Sequence, residues 1–411
     1  MKLLLLLLPL MILLSSGSCK KEDVETDTTP ADIELTPKSL LVIGNSNDFG
    51  VSLFGKIADD KRSDNLIISP LSASAALTML MNGSDGNTSL QISEMLGYST
   101  GVSVDEINQS YRSLTDQLLS VDPEVDINLA NAAFYRSGFT IKPSFITTLR
   151  EQFGAGAEGL DFRLPSAVEA INSWAEENTS GKITEVIDQI SEETVLFLMN
   201  ALYFNGSWTR EFDTENTVPM PFYSDEGDEF DVMTMNGITD AKLLHSEGFS
   251  AVEIPYGRTN FSMVVIVPDN SLASFAGSFT GHLYRTITGE FDQKAEFSDV
   301  EVSMPLFSFH FEEMLNDHLK TLGMTDAFDP HVADLTGISD DDLFVEFVKQ
   351  NSFIQVDERG SEAAAVTTIG IGVTSIPDPD PRFVADRPFV FLIRERISNT
   401  ILFIGQVTDP S

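Results

Sequence analysis

The segment from Val356 to Thr367 constrains the fold of this chain more than any other, because it suits neither a settled strand nor a settled helix. It reads VDERGSEAAAVT and lies between an apolar strand-like run and a proline-rich segment. Settled strands favour large β-branched side chains. A settled helix in this segment would not be followed by Gly370 and Gly372, because glycine disfavours helical backbone. Small residues at alternate positions suit a segment that is first exposed and later enters a crowded sheet. We therefore predict that this segment moves.

The composition fits one large domain with an acidic surface. The chain has 411 residues, 42% of them hydrophobic, and a formal net charge of −38. A surface this negative repels nucleic acid, anionic lipid and heparin-like polyanions, so we expect none of them as a partner. The predicted helix around Ile107–Leu118 carries a single basic residue, Arg112, which also argues against activation by a polyanion.

The N-terminus predicts export. Residues 1–18 combine a charged start, a leucine-rich run and small residues, and the run is too short for an ordinary membrane span. Cys19 is the single cysteine, so no internal disulfide can form. The arrangement resembles a bacterial lipoprotein signal, which implies lipidation of Cys19, although Ser16 stands where that motif usually has Leu. We expect a lipoprotein on the outer cell surface or in the periplasm; secretion with a free thiol is the alternative.

Three segments follow from the change in composition along the chain. Residues 1–18 form the signal peptide. Residues 19–39 are polar and acidic, which predicts an anchoring cysteine followed by a flexible tether. Residues 40–411 show a continuous apolar pattern without a second linker or a repeat, so we predict one domain.

Local patterns predict helices early in the chain and strands mostly late. Ser103 with Glu106 and Ser166 with Glu169 have capping-box spacing ahead of helical apolar periodicity. Apolar runs bounded by turn residues predict strands at Thr194–Phe204, Phe261–Val267, Phe344–Val356, Phe389–Ile393 and Ile401–Val407. This order favours an α+β fold over an alternating parallel α/β fold.

Five segments, in order, carry a resemblance to a known family. They are NLIISPLS from Asn65, NAAF from Asn131, INSW with TSGKI from Ile171, NALYFNGSW from Asn200 and FVADRPF from Phe383. The chain resembles the serpins over essentially its whole length from about residue 45. The resemblance implies a large central sheet with two smaller sheets, about eight to nine helices, an exposed reactive-centre loop, a monomer, and neither a cofactor nor a metal.

The resemblance also implies which polar and aromatic residues lie where the central sheet parts. These shutter and breach residues are Ser69, Ser72, Asn200, Trp208 and Gln350. Gln350 stands where the family often has His; since Gln still donates and accepts hydrogen bonds, we expect closure across the shutter to survive. Leu306 stands where a Lys often pairs with the hinge Glu, so we expect other contacts to hold Glu358.

The mobile segment then corresponds to the hinge of an inhibitory serpin. A protease attacks the loop, forms a covalent acyl-enzyme, and the cut loop enters the central sheet before water releases it. The hinge comprises Glu358, Gly360, Ser361, Glu362, Ala363, Ala364, Ala365 and Thr367. Alternate residues must face the core, namely Ser361, Ala363, Ala365 and Thr367, and none is charged. Glu362 has the opposite parity and faces solvent.

Family spacing from Glu358 predicts cleavage between Thr374 and Ser375. Extra residues before Pro388 leave two alternatives open, Val373-Thr374 and Ser375-Ile376. Each places a small, uncharged residue before the bond, which favours elastase-like or subtilisin-like serine proteases, with papain-like cysteine proteases as an alternative. Lys and Arg are absent between residues 360 and 381, so a trypsin-like target is disfavoured.

Two functions other than inhibition are possible for a chain of this kind, catalysis and binding. The chain lacks the Gly-x-Ser-x-Gly and His-Glu-x-x-His motifs, and its five histidines are scattered, so we predict that it is not an enzyme. A serpin-fold surface or binding protein that does not inhibit is the second alternative. Such members commonly carry bulky or charged hinge residues where Ser361 and Ala363 stand here, so the hinge favours inhibition.

Overall fold

The computed structural model describes residues 29–98, 101–294, 296–361 and 381–411. These residues form nine α-helices: α1 (Pro37–Asp60), α2 (Pro70–Met81), α3 (Gly86–Met95), α4 (Val104–Leu118), α5 (Pro143–Phe153), α6 (Pro165–Asn178), α7 (Leu272–Ser278), α8 (Gly281–Asp292) and α9 (Asn316–Thr321). None of the described helices is long and apolar enough to cross a membrane.

The same residues form fifteen strands: β1 (Leu66–Ile68), β2 (Val125–Arg136), β3 (Gly156–Leu160), β4 (Leu196–Ser207), β5 (Val218–Tyr223), β6 (Glu229–Ser246), β7 (Phe249–Tyr256), β8 (Phe261–Pro268), β9 (Ser298–Pro305), β10 (Phe307–Met314), β11 (Lys349–Asp357), β12 (Gly360–Ser361), β13 (Arg382–Val384), β14 (Phe389–Glu395) and β15 (Thr400–Val407).

The strands form two sheets. The six-stranded sheet has the order β10-β11-β12-β4-β2-β3, and we call it the central sheet. The nine-stranded sheet has the order β1-β15-β14-β8-β7-β6-β9-β13, with β5 paired to β6. The long β6 pairs with β7 near its end and with β9 and β5 near its start, so it joins what the resemblance implied as two smaller sheets. The predicted α+β architecture is confirmed.

Apolar side chains fill both faces of the central sheet. The main core lies between the two sheets and includes fully buried strands such as β8 and β14. A second cluster lies on the opposite face, where Ile171 of α6 packs with Phe134 of β2 and Phe197 of β4. The central sheet therefore has the main core along one face, and the second cluster covers part of its other face.

One of the two predicted capping boxes is confirmed and the other is wrong. The Ser103 side chain accepts from the Glu106 backbone N–H at the start of α4, and the Glu106 side chain accepts from the Ser103 N–H. At α6 the helix begins at Pro165, with Leu164 as N-cap and no side-chain cap. Proline fixes a helical φ and needs no donor partner, so it starts the helix before Ser166 can act as its cap.

The predicted strand beginning at Phe344 begins instead at Lys349. Residues before Lys349 bond to helical segments: the Val345 N–H donates to Ala327 O in a short 3-10 helix, and the Val348 N–H donates to Asn316 Oδ1 at the start of α9. These contacts take the place of strand pairing before Lys349.

The predicted flexible tether ends earlier than residue 39, which corrects that assignment. Ile33 is buried in the main core, Ala31 bonds to Asn260 of the body, and α1 begins at Pro37. Two apolar residues, Ile33 and Leu35, are enough to pack this polar stretch against the domain. Residues 1–18 and Cys19 lie outside the described residues, so the signal and lipid-anchor assignments stay predictions.

Candidate functional site

The central sheet is parted between β4 and β11. In the described part of the chain, these two strands do not pair with each other. The two-residue strand β12 lies between them at one end. Ser361 of β12 pairs antiparallel with Val356 of β11 on one side and with Gly206 of β4 on the other. The hinge predicted from the sequence is thus seated at the top of a gap in the sheet.

A cavity of about 250 Å³ occupies the gap beyond β12. β4 lines one side from Leu196 to Ala201, and residues 342–351, including the start of β11, line the other. A smaller cavity of about 30 Å³ lies between this cavity and the hinge and is lined in part by Ser361. Most of the lining is apolar, so the gap resembles an unfilled strand position.

The segment that follows α6 reaches across this gap. Lys349 Nζ of β11 donates to Val186 O at 3.0 Å, and Lys182 Nζ lies 5.0 Å from the centre of the Phe353 ring. Val186 and Lys182 both follow α6, whereas Lys349 and Phe353 belong to β11. These contacts hold the segment to β11, and Val186 also belongs to the apolar cluster that includes Phe197 of β4.

Gly360 has a backbone that only glycine accommodates. Its φ is +147°, and a Cβ at this position would lie 2.1 Å from Gly206 O. A side chain would therefore collide with β4 where β12 pairs with it. Glycine, which adopts a positive φ without a steric cost, is therefore needed at this position of the hinge.

Ser361 is already buried on the core side, the side that the alternation in the sequence predicted. It is 3% exposed, and its Oγ lies 2.6 Å from Tyr256 Oη. Burial raises the pKa of Tyr256 well above its usual value of 10.0, so its hydroxyl stays protonated in this contact. Trp208 stacks on Tyr256 with ring centres 4.4 Å apart.

The turn before β12 is held by the segment that follows β4. Trp208 Nε1 donates to Asp357 O at 3.0 Å, and the backbone N–H of Trp208 donates to Arg359 O at 2.8 Å. The Phe212 N–H donates to Glu358 O at 2.8 Å. Trp208 therefore holds the breach by hydrogen bonding as well as by packing.

The hinge carboxylate is held by Thr217, which the sequence analysis did not identify. Thr217 Oγ1 donates to Glu358 Oε1 at 2.6 Å. This bond takes the place of the lysine contact, which the chain lacks because it has Leu306 at that position. Thr217 is 141 positions from Glu358 in the chain and lies in no motif, so no sequence signal pointed to it.

Replacing Thr217 with Val is expected to destabilise the protein by about 1–2 kcal/mol, because a half-buried carboxylate loses a hydrogen bond. The measurement is the midpoint of urea unfolding. Thr217→Ser is the matched control, since it keeps the hydroxyl group and should remain close to the parent. If the Ser and Val variants unfold at the same midpoint, the bond to Glu358 does not stabilise the hinge.

Four of the predicted polar residues meet at the shutter. Ser69 caps α2 by accepting from the Ser72 N–H at 3.1 Å, and the Ser72 hydroxyl donates to Asn200 Oδ1. Asn200 Nδ2 donates to Asn131 Oδ1 at 2.6 Å, so Asn131 belongs to the same network. Gln350 Nε2 donates to Ser69 O at 3.0 Å.

Gln350 closes the shutter only in part, which corrects the expectation that it both donates and accepts. Its Oε1 is buried and has no hydrogen-bond partner among the described residues. Asn200, across the gap, bonds to Ser72 and Asn131 and not to Gln350. A buried carbonyl without a partner is destabilising, so this side chain favours any change that brings a donor into the gap.

The remaining predicted residues cannot be placed. Cys19, Glu362, Ala363, Ala364, Ala365, Thr367, Val373, Thr374, Ser375 and Ile376 lie outside the described residues. Across the ranges that are described, no group of three or more His, Cys, Asp or Glu side chains could hold a metal ion.

The fold and the site define an α+β protein with a parted central sheet and a two-residue strand paired in the gap. Residues 44–410 match the family model described as serpin (serine protease inhibitor). The chain belongs to the serpin family. This membership places it among protease inhibitors rather than among enzymes, because the family and its named relatives are inhibitors.

Individual relatives agree with the family assignment. The chain is 34% identical to the leukocyte elastase inhibitor of Sus scrofa, covering 88% of this chain and 97% of that protein. It is 31% identical to an uncharacterised serpin-like protein of Methanosarcina acetivorans, covering 98% and 96% of the two chains. Among solved structures, native tengpin, a thermophilic serpin, matches with a TM-score of 0.81, 29% identity and coverage of 93% and 97%.

Proposed function

We propose that this serpin is a suicide-substrate inhibitor of serine proteases that traps the acyl-enzyme by inserting its cleaved loop into the central sheet. The observation that carries the proposal is β12, which is paired on both sides between β4 and β11 above an open gap. Serpin loop insertion is itself a known example of strand addition, and β12 supplies its first two residues.

The chemistry has two steps of which the second must be prevented. The protease nucleophile attacks the carbonyl of Thr374, the bond to the Ser375 nitrogen breaks, and Ser375 leaves as a new N-terminus while Thr374 stays esterified to the enzyme. Water would then release Thr374 as an acid. Insertion carries the attached protease along the sheet before that step. Ser361 to Thr374 is 14 residues, or roughly 46 Å as a strand.

The register of β12 supports this proposal when it is continued residue by residue. On β4, positions 363, 365 and 367 would lie opposite Phe204, Leu202 and Asn200. On β11, the same positions would lie opposite Ile354, Ser352 and Gln350. All six partners have the parity that faces the main core in their strands. The small, uncharged residues at these positions would therefore face the main core.

Thr367 would enter the shutter itself. In the continued register it lies between Asn200 and Gln350. Its hydroxyl can donate to Gln350 Oε1, the buried acceptor that has no partner among the described residues. Insertion would then satisfy a polar atom that the uninserted sheet leaves unpaired, which favours the inserted state.

The spacing from Glu358 is the argument for cleavage after Thr374. The large cavity continues past the start of both flanking strands, since its lining includes Glu193 and Leu343, whereas β4 begins at Leu196 and β11 at Lys349. The space beyond the paired strands therefore leaves room for the end of an inserted loop. The alternatives, Val373-Thr374 and Ser375-Ile376, differ by one position and remain open to measurement.

We propose an elastase-like or subtilisin-like enzyme as the target. Thr374 is small and uncharged, and curated relatives of this chain are named leukocyte elastase inhibitors. We also propose that the chain is exported and works at a cell surface, through lipidation of Cys19. A Cys19→Ser variant that is still recovered with membranes would contradict the anchor.

The test is to incubate the domain with elastase, subtilisin, trypsin and papain and to separate the products on denaturing gels. We expect an SDS-resistant adduct with elastase or subtilisin and release of a short C-terminal peptide that begins at Ser375. N-terminal sequencing of the peptide identifies the bond. Clean cleavage without an adduct would support the non-inhibitory binding protein, and an adduct with papain alone would redirect the proposal to cysteine proteases.

A second measurement tests insertion without relying on the adduct. The thermal midpoint of the domain cut within the loop is compared with that of the intact domain. We expect the cut form to melt higher, because the added strand buries its small residues and pairs its backbone on both sides. Equal midpoints would show that the loop stays outside the sheet.

A further inference from the structure

Two phenylalanine rings meet at the end of the gap away from the hinge. Phe197 of β4 and Phe347, which lies two residues before β11, have ring centres 5.6 Å apart. Each ring lies three residues beyond the shutter, counted from Asn200 on one side and from Gln350 on the other. Because β4 and β11 do not pair in the described part of the chain, the rings meet across an unfilled strand position. We call this pair of rings the ring clamp.

The ring clamp is packed from the α6 side of the sheet. Phe162 lies edge-on to Phe197, with ring centres 5.5 Å apart. Phe197 is 7% exposed and belongs to the apolar cluster that also contains Ile171 of α6. Phe347 packs against the same cluster. The space above the rings is therefore filled, which limits how far they can swing away from the gap.

A hydrogen bond fixes the spacing of the two segments that carry the rings. The Thr194 hydroxyl, just before β4, donates to Glu346 Oε2, just before β11. On the β4 side, Arg136 Nη2 donates to Thr194 O at 2.5 Å. On the β11 side, Asn316 Nδ2 donates to Glu346 O at 3.0 Å. Each segment is thus tied to the body and to the other segment, so the ring clamp of the uninserted protein has a set width.

Both rings face one position of a strand that continues β12. If the register is extended along β4 and two residues past the start of β11, position 370 of an inserted strand would lie between Phe197 and Phe347. Directly opposed side chains in an antiparallel sheet have Cβ atoms about 4.5–5.5 Å apart, so a side chain at 370 would enter the space where the rings meet. The chain has Gly370 at this position. Since glycine adds no side chain, the rings would stay in contact above its backbone.

We propose that the ring clamp selects for glycine at position 370, so that full insertion requires this residue as well as the small residues of the hinge. A strand with a larger residue at 370 would enter as far as the shutter and stop where its side chain meets the rings, because overpacking a filled region is destabilising. In the insertion mechanism, on which this inference rests, such a stop leaves the protease short of the end of the gap.

The test adds a synthetic peptide with the sequence of residues 361–374 to the intact protein and follows the fraction of protein that becomes resistant to urea unfolding with time. We expect this parent peptide to anneal into the gap. A Gly370→Leu peptide should anneal at least about tenfold more slowly, because its side chain overpacks the ring clamp. Failure of the parent peptide to anneal, or equal rates for the two peptides, would overturn the proposal.

A Thr368→Leu peptide is the control for position. Residue 368 has the same parity as 370 and would lie opposite Met199 and Lys349, one pair before the rings. We expect its annealing rate to stay within about twofold of the parent peptide's, the scatter expected away from a shared contact. A loss as large as that of the Gly370→Leu peptide would show that bulk anywhere on this face blocks annealing, which contradicts the clamp.

Rescue in the protein separates the clamp from general stability. Phe347→Ala removes one ring and leaves room for a leucine, so the Gly370→Leu peptide should anneal to this variant within about twofold of the parent peptide. Phe347→Leu, which keeps more of the packing, is the second variant and should recover part of the rate. Phe275→Ala is the matched control, because it removes an edge-on partner of Phe249, 5.7 Å away, between β7 and α7. If Phe275→Ala restores annealing equally, or neither Phe347 variant does, the clamp is wrong.

Thr194→Val tests the bond that sets the width of the clamp. Without the hydroxyl, the segments that carry the rings can move apart, so the preference for the parent peptide over the Gly370→Leu peptide should fall from about tenfold to about threefold. Thr194→Ser keeps the hydroxyl group and should keep the preference. The same preference in both variants would contradict the positioning role of Thr194.

The protease gels distinguish this inference from the proposed function. An adduct with elastase or subtilisin, combined with equal annealing of the parent and Gly370→Leu peptides, would remove the clamp and retain inhibition. Annealing that depends on Gly370, combined with no adduct for any protease, would retain the clamp and remove the inhibitory function.

Discussion

Ala363→Glu is expected to abolish the SDS-resistant adduct and turn the protein into a substrate that the protease cuts and leaves. If the register of β12 is continued, position 363 of an inserted strand would lie between Phe204 and Ile354, both buried in the main core. A carboxylate there would be buried without a charge partner, which costs roughly several kcal/mol and opposes insertion. Deacylation would then be faster than insertion, so water would release the protease before the strand forms.

Ala364→Glu is the matched control for that variant. It has the same change in size and charge one position along, where the register places the side chain on the α6 face beside Phe353. Lys182 lies over the Phe353 ring and can pair with the new carboxylate. We expect adduct yield close to the parent's, measured as the molar ratio of inhibitor consumed to protease trapped. Equal loss in both variants would show that parity does not govern insertion.

Arg394→Met is expected to destabilise the fold by about 3–5 kcal/mol, the loss typical of breaking a buried ion pair. Arg394 and Glu253 are both 0% exposed, with Nη2 and Oε1 2.7 Å apart. Asp292 bonds to the same guanidinium at 2.7 Å. Without the arginine, Glu253 stays buried with its charge poorly compensated. The measurement is the free energy of unfolding in urea.

The double variant Glu253→Leu with Arg394→Met is the control for this pair. It removes both charges and fills similar volume, so it should recover much of the lost stability. If the double variant is as unstable as Arg394→Met alone, lost packing rather than the uncompensated charge explains the effect.

The pair also predicts how stability depends on pH. Burial alone would raise the pKa of Glu253, but the charge of Arg394 outweighs it and holds the pKa below the ordinary value of 4.5. A carboxyl with a lowered folded pKa contributes stability above its unfolded pKa and loses it as pH falls through the folded value. We expect the free energy of unfolding of the parent to lose this contribution as pH falls below about 4.5 toward the lowered folded pKa of Glu253, as measured by urea unfolding at a series of pH values.

The sequence predicted the parts of the site that depend on local alternation. Small, uncharged residues at every second position predicted the buried face of Ser361, and the structure places its hydroxyl against Tyr256. The polar shutter residues were found because a motif places each of them on its strand or helix. The overall fold followed from five motifs in order and from apolar runs whose lengths match strands.

The parts that were missed depend on contacts between distant segments. Thr217 and Glu358 meet only after β4 and β12 have paired, so neither position signals the other. The unpaired Oε1 of Gln350 has the same cause, because the amide of Asn200 across the gap donates to Asn131 instead. Residues 31–36 were predicted to be flexible because they are polar. The polar composition gives no sign of the backbone bonds that Asn260 makes to Ala31.

In the proposed mechanism, insertion starts from residues that are already paired, because Gly360 and Ser361 bond to β4 and β11. A strand that had to find its place would first bear the entropy of closing a long loop. Here each further residue adds next to a pair that is already formed. Substitutions near Ser361 should therefore block the process at its start, whereas those near Thr374 should let it run and halt late. The proposed mechanism would thus give two kinds of product. If insertion stops early, the inhibitor is cut and the protease is released; if it stops late, the protease stays attached part of the way along the sheet.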